Sequence, residues 1–121
     1  LSERALDAIA ALRPRPDLLV ITGDLTDCGL ASEYALLQEM LGRLDMPVLM
    51  VPGNHDRREN LVAGLKLDPR TVHDSGFVQF VADIGPMRLI GLDTLVPGQS
   101  AGGLCEARLA FLDKALDEAA G

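Results

Sequence analysis

Two short apolar runs constrain the fold of this chain more than any other feature of its sequence. They read DLLVITGD and PVLMVPGN, and each closes on a glycine that is followed by a polar residue. Continuous apolar runs of this length predict strands that are buried on both faces. Leucines at helical spacing separate them, so the sequence predicts a β-α-β unit with parallel strands and a right-handed crossover.

The other segments extend this unit on both sides. Ser2 is expected to cap a first helix that stops at Pro14 and Pro16. Ser32 is expected to cap the crossover helix, whose predicted inward face comprises Leu36, Leu37, Met40, Leu41 and Leu44. GFVQFVADIG and MRLIGLDT predict a hairpin that turns at Gly85-Pro86.

A last helix is predicted from about Glu106 to Ala119, with inward residues Leu109, Leu112 and Leu116. The order helix-strand-helix-strand-hairpin-helix predicts the α/β class, with a mixed, largely parallel sheet of four strands. At 121 residues the chain is long enough for one ordinary domain.

Charge and cysteine content limit the classes of partner and compartment. A net charge of −7 disfavours a nucleic acid polymer, because binding to a phosphate backbone needs clustered Lys and Arg. The sequence contains no apolar stretch of membrane-spanning length, which predicts no membrane partner. Cys28 and Cys105 lack CxxC spacing and are interpreted as free thiols of a cytoplasmic protein. A homo-oligomer stays open.

Polar residues follow both predicted parallel strands, at the sheet edge where α/β proteins bind ligands. Asp24 and Asp27 follow the first strand; the second is followed by Asn54, His55 and Asp56. Parallel pairing would bring these clusters together although Asp24 and Asn54 are 30 positions apart. Carboxylate, amide and imidazole ligands suit Mn²⁺, Fe or Zn²⁺ better than Ca²⁺.

The motifs GDLTDCG and GNHD resemble two signature blocks of the calcineurin-like metallophosphoesterase superfamily. LIGLDTLVPGQSAGGLCEARLAFLDKAL is similar to the middle of the branch that contains bacterial cyclic nucleotide and glycerophosphodiester phosphodiesterases. The resemblance covers nearly the whole chain. It implies an α-β-β-α sandwich and a binuclear-metal hydrolase in which a metal-bridging hydroxide attacks phosphorus.

The resemblance also implies a role for each site residue. Asp24 would bridge two divalent metal ions, Mn²⁺, Fe or Zn²⁺, and Asn54 would ligate one of them through its amide oxygen. His55 would stabilise phosphate charge or protonate the leaving oxygen. Asp27 and Asp56 would orient ligands and loops without touching the metal ions.

Several superfamily motifs do not occur in this sequence. Asp-x-His, a later lone histidine and Gly-His-x-His are absent, and His73 is interpreted as a loop histidine. The expectation is therefore one partial domain, residues 1–121, truncated at both ends and inactive on its own.

Simpler interpretations compete with the site at four positions. Asp56 is expected mainly to cap a short helix, together with Glu59, that runs to about Leu67. Arg57 and Arg58 are expected on the solvated surface. Asp93 is expected to serve a turn or a cap, although it could line the site.

The leading functional hypothesis is a phosphodiesterase acting on a small diester, a 3',5'-cyclic nucleotide ahead of a glycerophosphodiester. A phosphomonoesterase of the same superfamily and a non-catalytic homologue are the alternatives. Dinucleotide-binding and P-loop modules are excluded because the sequence has neither glycine motif.

Overall fold

A computed structural model of the protein describes residues 2–73 and 76–120, so the chain ends Leu1 and Gly121 lie outside the described residues. The elements in chain order are α1 (Glu3–Ala10), β1 (Leu19–Thr22), α2 (Ala31–Leu41), β2 (Val48–Val51), α3 (Arg58–Gly64), β3 (Thr71–Val72), β4 (Gln79–Ile84), β5 (Met87–Gly91) and α4 (Glu106–Ala120). Within the described ranges, no helix is long and apolar enough to cross a membrane.

The predicted β-α-β unit is confirmed. Strands β1 and β2 pair in parallel, with Leu19 opposite Val48 and Thr22 opposite Val51, and α2 provides the crossover. Burial differs between the two strands. Leu49 and Met50 of β2 are buried, whereas β1 is only half-buried, so the prediction of two fully buried strands is wrong for β1. In the part of the chain that the structure describes, β1 pairs with β2 alone and is therefore an edge strand.

The hairpin is also confirmed, but it does not join the parallel pair in one mixed sheet. Strands β3, β4 and β5 form a separate antiparallel sheet. Its turn passes through Gly85, whose φ of 57° is the left-handed conformation that glycine adopts readily. The two-residue strand β3 is too short to leave a pattern in the sequence.

The two sheets stack between layers of helices, as expected for an α-β-β-α sandwich. On one face of the parallel sheet, Met50 packs into a cluster with residues of α2 and α3. On the other face, Leu49 packs against Phe80 and Ala82 of β4. Complete burial of one such leucine stabilises the fold by about 1.5–3 kcal/mol. Helix α4 covers β5, where Arg88 Nη1 donates to the Ala115 carbonyl at 3.0 Å.

Helix starts were predicted with mixed success. Ser2 caps α1 as expected, since its Oγ accepts from the Ala5 N–H at 3.1 Å. Ser32 does not cap α2, because the helix already begins at Ala31 and Leu30 occupies the N-cap position. The Glu33 carboxylate accepts the Leu30 N–H instead, at 3.1 Å.

The inward face of α2 also differs from its prediction at one end. Leu37, Met40 and Leu41 are buried as expected, but Leu36 is 58% exposed and Tyr34 is fully buried. Tyr34, Leu37 and Leu41 lie three and four positions apart, which is the spacing of one helical face. Leu36 lies off that face.

Two further predictions about helices are wrong. Helix α3 ends at Gly64 rather than near Leu67, and its N-cap residue is Arg57, not Asp56. On α4, Leu109 and Leu116 are 45% and 50% exposed, while the buried residues are Arg108 and Ala115; Leu112 is half-buried. The inward stripe of α4 is therefore rotated by about one residue from the leucine pattern.

Candidate functional site

The loops that follow β1 and β2 lie directly against each other. The His55 N–H donates to Asp24 Oδ1 at 3.0 Å, across 31 positions of sequence. Asp24 has a φ of 43°, a left-handed conformation that aspartate tolerates better than most residues. A Cβ on Gly53 would lie 2.2 Å from the Asp24 backbone nitrogen. The close approach of the two loops therefore requires glycine at position 53.

The predicted metal ligands Asp24 and Asn54 line the same cavity, which has a volume of about 400 Å³. Both side chains are exposed, so their oxygens are accessible from solvent. The opposite wall is formed by residues 94–96 and 100–102, in the loop between β5 and α4. The structure thus brings together the carboxylate and the amide that sequence reasoning paired.

His55 and Asp27 line a larger neighbouring cavity of about 1000 Å³. Both are exposed, and Asn54 lines this cavity as well as the smaller one, so the two cavities adjoin. Cys28 and His73 also border the larger cavity. His73 follows β3 and is exposed, in agreement with its interpretation as a loop histidine.

Asp56 lies beneath the two loops and binds them together. Its side chain is buried and accepts hydrogen bonds of 2.9 to 3.1 Å from the backbone N–H groups of Leu25, Thr26 and Gly53 and from the Thr26 hydroxyl. The Tyr34 hydroxyl donates a fifth bond, at 2.8 Å. Asp56 is therefore a clamp between the β1 and β2 loops and not a helix cap.

Tyr34 extends this clamp to the start of α3. Its hydroxyl oxygen accepts the Arg57 N–H at 3.0 Å while its proton points to Asp56. Burial in the core raises the pKa of Tyr34 to about 12. The hydroxyl therefore stays protonated and able to donate throughout the neutral range.

Glu33 supports the Asp27 loop from the first turn of α2. Its carboxylate accepts the N–H groups of Asp27 and Cys28 at 3.0 and 3.2 Å, in addition to that of Leu30. These bonds, that from Leu30 foremost, lower the pKa of Glu33. The backbone next to Asp24 is thus held by carboxylates on two sides, Glu33 and Asp56.

Sequence reasoning missed a group of charged residues beside the cavities. Asp93 is fully buried and forms a two-point ion pair with Arg58, with N···O distances of 2.6 and 2.7 Å. Arg58 was expected to be solvated, but its side chain is only 15% exposed; Arg57 is exposed as predicted. Arg108 is also buried close by. The position of Asp93 after a strand, like that of Asp24, was the one signal in the sequence.

The donor set at the small cavity fits part of a divalent metal centre. A carboxylate and an amide supply oxygen ligands of the kind that Mn²⁺ and Mg²⁺ accept. Nevertheless, in residues 2–73 and 76–120 no group of three or more His, Cys, Asp or Glu side chains could hold a metal ion. The described residues thus supply part of a ligand set.

Comparison with known proteins defines the class. The model of the calcineurin-like phosphoesterase family matches residues 2–115, and the chain belongs to this family. Proteins of the family generally depend on two metal ions.

Individual relatives are similar along most of the chain. A probable glycerophosphodiester phosphodiesterase (GpdQ) of Arcobacter nitrofigilis is 41% identical over 88% of the chain and 39% of its own length. A probable cyclic nucleotide phosphodiesterase of Rhodopseudomonas palustris is 41% identical over 98% of the chain and 44% of its own length. The 3',5'-cyclic adenosine monophosphate phosphodiesterase CpdA of Pseudomonas aeruginosa is 30% identical over 97% and 40%, respectively. The chain thus spans about two fifths of the length of these relatives.

Proposed function

We propose that this chain contributes to a metal-dependent phosphodiester hydrolase. The observation that carries the proposal is the Asp24 carboxylate beside the Asn54 amide in one solvent-accessible cavity. The bond that the His55 N–H donates to Asp24 and the bonds that Asp56 accepts fix both loops of this cavity, so the ligands are arranged before anything binds. Arrangement in advance reduces the free energy that binding would otherwise spend on ordering the loops.

Each predicted site residue has a part in the proposal. Asp24 would bridge two metal ions and Asn54 would ligate one, whether the metal is manganese, iron or zinc. The bound metals would supply electrophilic stabilisation of the phosphate and a nucleophile at neutral pH. An uncharged amide ligand would leave the metal ions more electrophilic than a second carboxylate would.

The other three residues would act on the substrate or on the loops. The His55 imidazole, at the border of the larger cavity, would stabilise phosphate charge or protonate the leaving oxygen. Asp27 would orient a ligand at the rim, and Asp56 would hold the two loops in register through its five hydrogen bonds.

The proposed substrate is a small phosphodiester, either a 3',5'-cyclic nucleotide or a glycerophosphodiester. The names of the relatives support both, and the larger cavity beside His55 offers room for the alcohol portion of the diester. The proposed location is the cytoplasm. A homo-oligomer is compatible with the proposal. The domain is proposed to be a partial one, whose remaining ligands lie in segments beyond residues 1–121.

The test is an assay of the protein expressed from its whole gene, supplied with Mn²⁺. Cyclic AMP, a glycerophosphodiester and a phosphomonoester serve as substrates. Asp24→Ala and Asn54→Ala should each lower kcat/KM by more than about 100-fold, since even outer-sphere partners of metal ligands cost 10–100-fold.

Asp83→Ala is the matched control, because Asp83 is an exposed hairpin carboxylate paired with Arg88 and should leave kcat/KM unchanged. Full activity of Asp24→Ala would show that the ligand assignment is wrong. Turnover of the phosphomonoester alone would replace the diesterase by a phosphomonoesterase, and no turnover at all would indicate a non-catalytic homologue.

A further inference from the structure

A buried charged cluster joins the start of α3 to the loop that closes the cavities. It consists of Asp93, Arg58, Arg108 and Phe77, and is called the Asp93 cluster below. The side chains of Asp93, Arg58 and Arg108 are 0%, 15% and 8% exposed. Burial of charged groups is costly unless they are paired and hydrogen-bonded, so the cluster is stable only if each of its charges has partners.

Every charge in the cluster has partners. The Asp93 carboxylate accepts two bonds from Arg58 and also the N–H groups of Val78 and Leu95, at 2.9 and 3.0 Å. The two guanidinium groups carry one positive charge more than Asp93 balances. Both lie over the Phe77 ring, with Cζ atoms 4.9 and 4.4 Å from its centroid for Arg58 and Arg108. The electron-rich face of the ring favours cations at these distances.

The arginines of the cluster donate hydrogen bonds to the backbone of residues 93–95. Arg108 Nη1 donates to the carbonyls of Asp93 and Leu95 at 2.9 and 3.1 Å. Arg58 Nη2 also donates to the Leu95 carbonyl. This backbone is therefore bound from α3 on one side and from α4 on the other.

Residues 93–95 are the base of the loop that separates the two cavities. Leu95 lines both cavities, Pro97 and Gly98 line the larger one, and residues 100–102 line the smaller one opposite Asp24. The loop is closed on itself, since the Gly103 N–H donates to the Thr94 carbonyl at 2.9 Å. A displacement of its base would therefore move the whole wall.

We propose that Arg58 is a positioning residue that sets the distance between this loop and the Asp24–Asn54 edge, and so decides the size of diester that fits. Arg58 lies four positions after Asn54, in the first turn of α3. Arg58 thus connects the loop that carries Asn54 directly to the loop between β5 and α4 on the other side of the cavity. The inference about substrate size depends on the proposed phosphodiesterase function, whereas the anchoring of the loop does not.

The test is Arg58→Lys in the protein from the whole gene. Lysine keeps the charge but cannot form the two-point pair with Asp93. Amide hydrogen exchange at Val78, Leu95 and Gly103 should become roughly tenfold faster or more, while exchange in β1 and β2 stays unchanged. The KM for cyclic AMP relative to that for the more compact glycerophosphoethanolamine should change by about tenfold, with a smaller change in kcat.

Arg70→Lys is the matched control, because Arg70 forms the same two-point pair with Asp68 in the loop between α3 and β3. It should leave the substrate preference and the exchange of residues 93–103 unchanged. An Arg58→Lys protein with wild-type exchange in this loop overturns the anchoring, even if the wild type has no phosphodiesterase activity. An active variant with unchanged substrate preference overturns the effect on diester size.

A second variant covers the case in which Arg58→Lys does not fold. A Cβ on Gly102 would lie 2.7 Å from the Thr94 carbonyl oxygen, so Gly102→Ala shifts the same loop without altering any charge. It should change the preference between the two diesters. An unchanged preference in this variant overturns the effect of the loop on diester size.

Discussion

Asp24 and Asp56 are two carboxylates of one site, and their surroundings differ completely. Asp24 is exposed, and among the described residues its carboxylate accepts a hydrogen bond from the His55 N–H. Asp56 is buried and accepts five hydrogen bonds. A carboxylate has about four lone-pair positions in its plane, so Asp56 has no capacity left for a ligand, whereas Asp24 does.

This difference distinguishes Asp24, which we propose to bind metal, from Asp56, which supports the two loops. The saturated carboxylate fixes the backbone of both loops, and the open carboxylate lies on top of that backbone. Removal of the Asp56 carboxylate should therefore reduce stability, and removal of the Asp24 carboxylate should reduce activity.

The largest effect on stability is expected for Asp56→Ala. It would leave four buried donors and the partly buried Gly53 N–H without an acceptor, and losing one side of a buried charged network costs about 3–5 kcal/mol. Chemical denaturation measures this free energy of unfolding. Asp24→Ala is the control and should leave stability nearly unchanged, since Asp24 is exposed. Similar losses in the two variants would remove the distinction between clamp and ligand.

A smaller loss is expected for Gly53→Ala, which acts on both carboxylates at once. The added Cβ would lie 2.2 Å from the Asp24 nitrogen and 2.3 Å from its Oδ1, so the two loops must separate. Overpacking of this kind costs about 1–3 kcal/mol. Gly42→Ala serves as the control, because Gly42 has a φ of −62° and a Cβ there would meet its neighbours only at 3.5 Å, an ordinary contact distance. Wild-type stability and activity in Gly53→Ala would show that the loops are not in close contact.

The smallest effect is expected for Tyr34→Phe, which removes one of the five donors to Asp56 and the acceptor of the partly buried Arg57 N–H. A hydrogen bond to a charged group contributes about 1.5–3 kcal/mol. Because four other donors to Asp56 remain, we expect a loss of stability near the lower end of this range. Retention of full stability by Tyr34→Phe would show that the hydroxyl bond contributes nothing.

The Tyr34→Phe variant also makes it possible to measure how the stability contributed by Tyr34 depends on pH. The pKa of Tyr34 is raised to about 12 in the folded protein, compared with about 10 when unfolded. The stability that Tyr34 contributes is therefore complete below about pH 10 and is lost as the pH rises towards 12. Ultraviolet absorbance of tyrosinate, taken as the difference between wild type and Tyr34→Phe, follows this titration. A midpoint near 10 would contradict the buried hydrogen-bonded state.

The sequence predicted what depends on strand order and on local pattern. Parallel strands end at the same edge, and this rule alone brings Asp24 and Asn54 to one cavity. The sheet partners of the hairpin were not predictable in the same way. The apolar alternation of β4 is compatible with two arrangements, one in which β4 stacks on Leu49 and one in which it is hydrogen-bonded to β2. Only the three-dimensional packing decides between these two arrangements.

The roles of Arg57 and Arg58 show a second limit. Adjacent arginines are chemically alike, yet Arg57 is exposed and Arg58 is half-buried against Asp93, 35 positions away. The choice depends on the residue at which α3 begins, and Asp56 was assigned to a cap because that start was placed one residue too early. Likewise, the face of α4 that packs inward carries Arg108, which donates to the Asp93 carbonyl, and Leu109 is exposed.

The hydrogen bonds of Asp56 to Leu25 and Thr26 join positions 31 and 30 residues apart, across the whole crossover helix. Loop closure of this length must precede them, so we expect the clamp to form late in folding, after β1, α2 and β2 have docked. A ligand that binds only the clamped loops would then act as a reporter of completed folding. At a free concentration 100 times its dissociation constant it would also stabilise the native state by about 2.7 kcal/mol and so lower the population of the opened site.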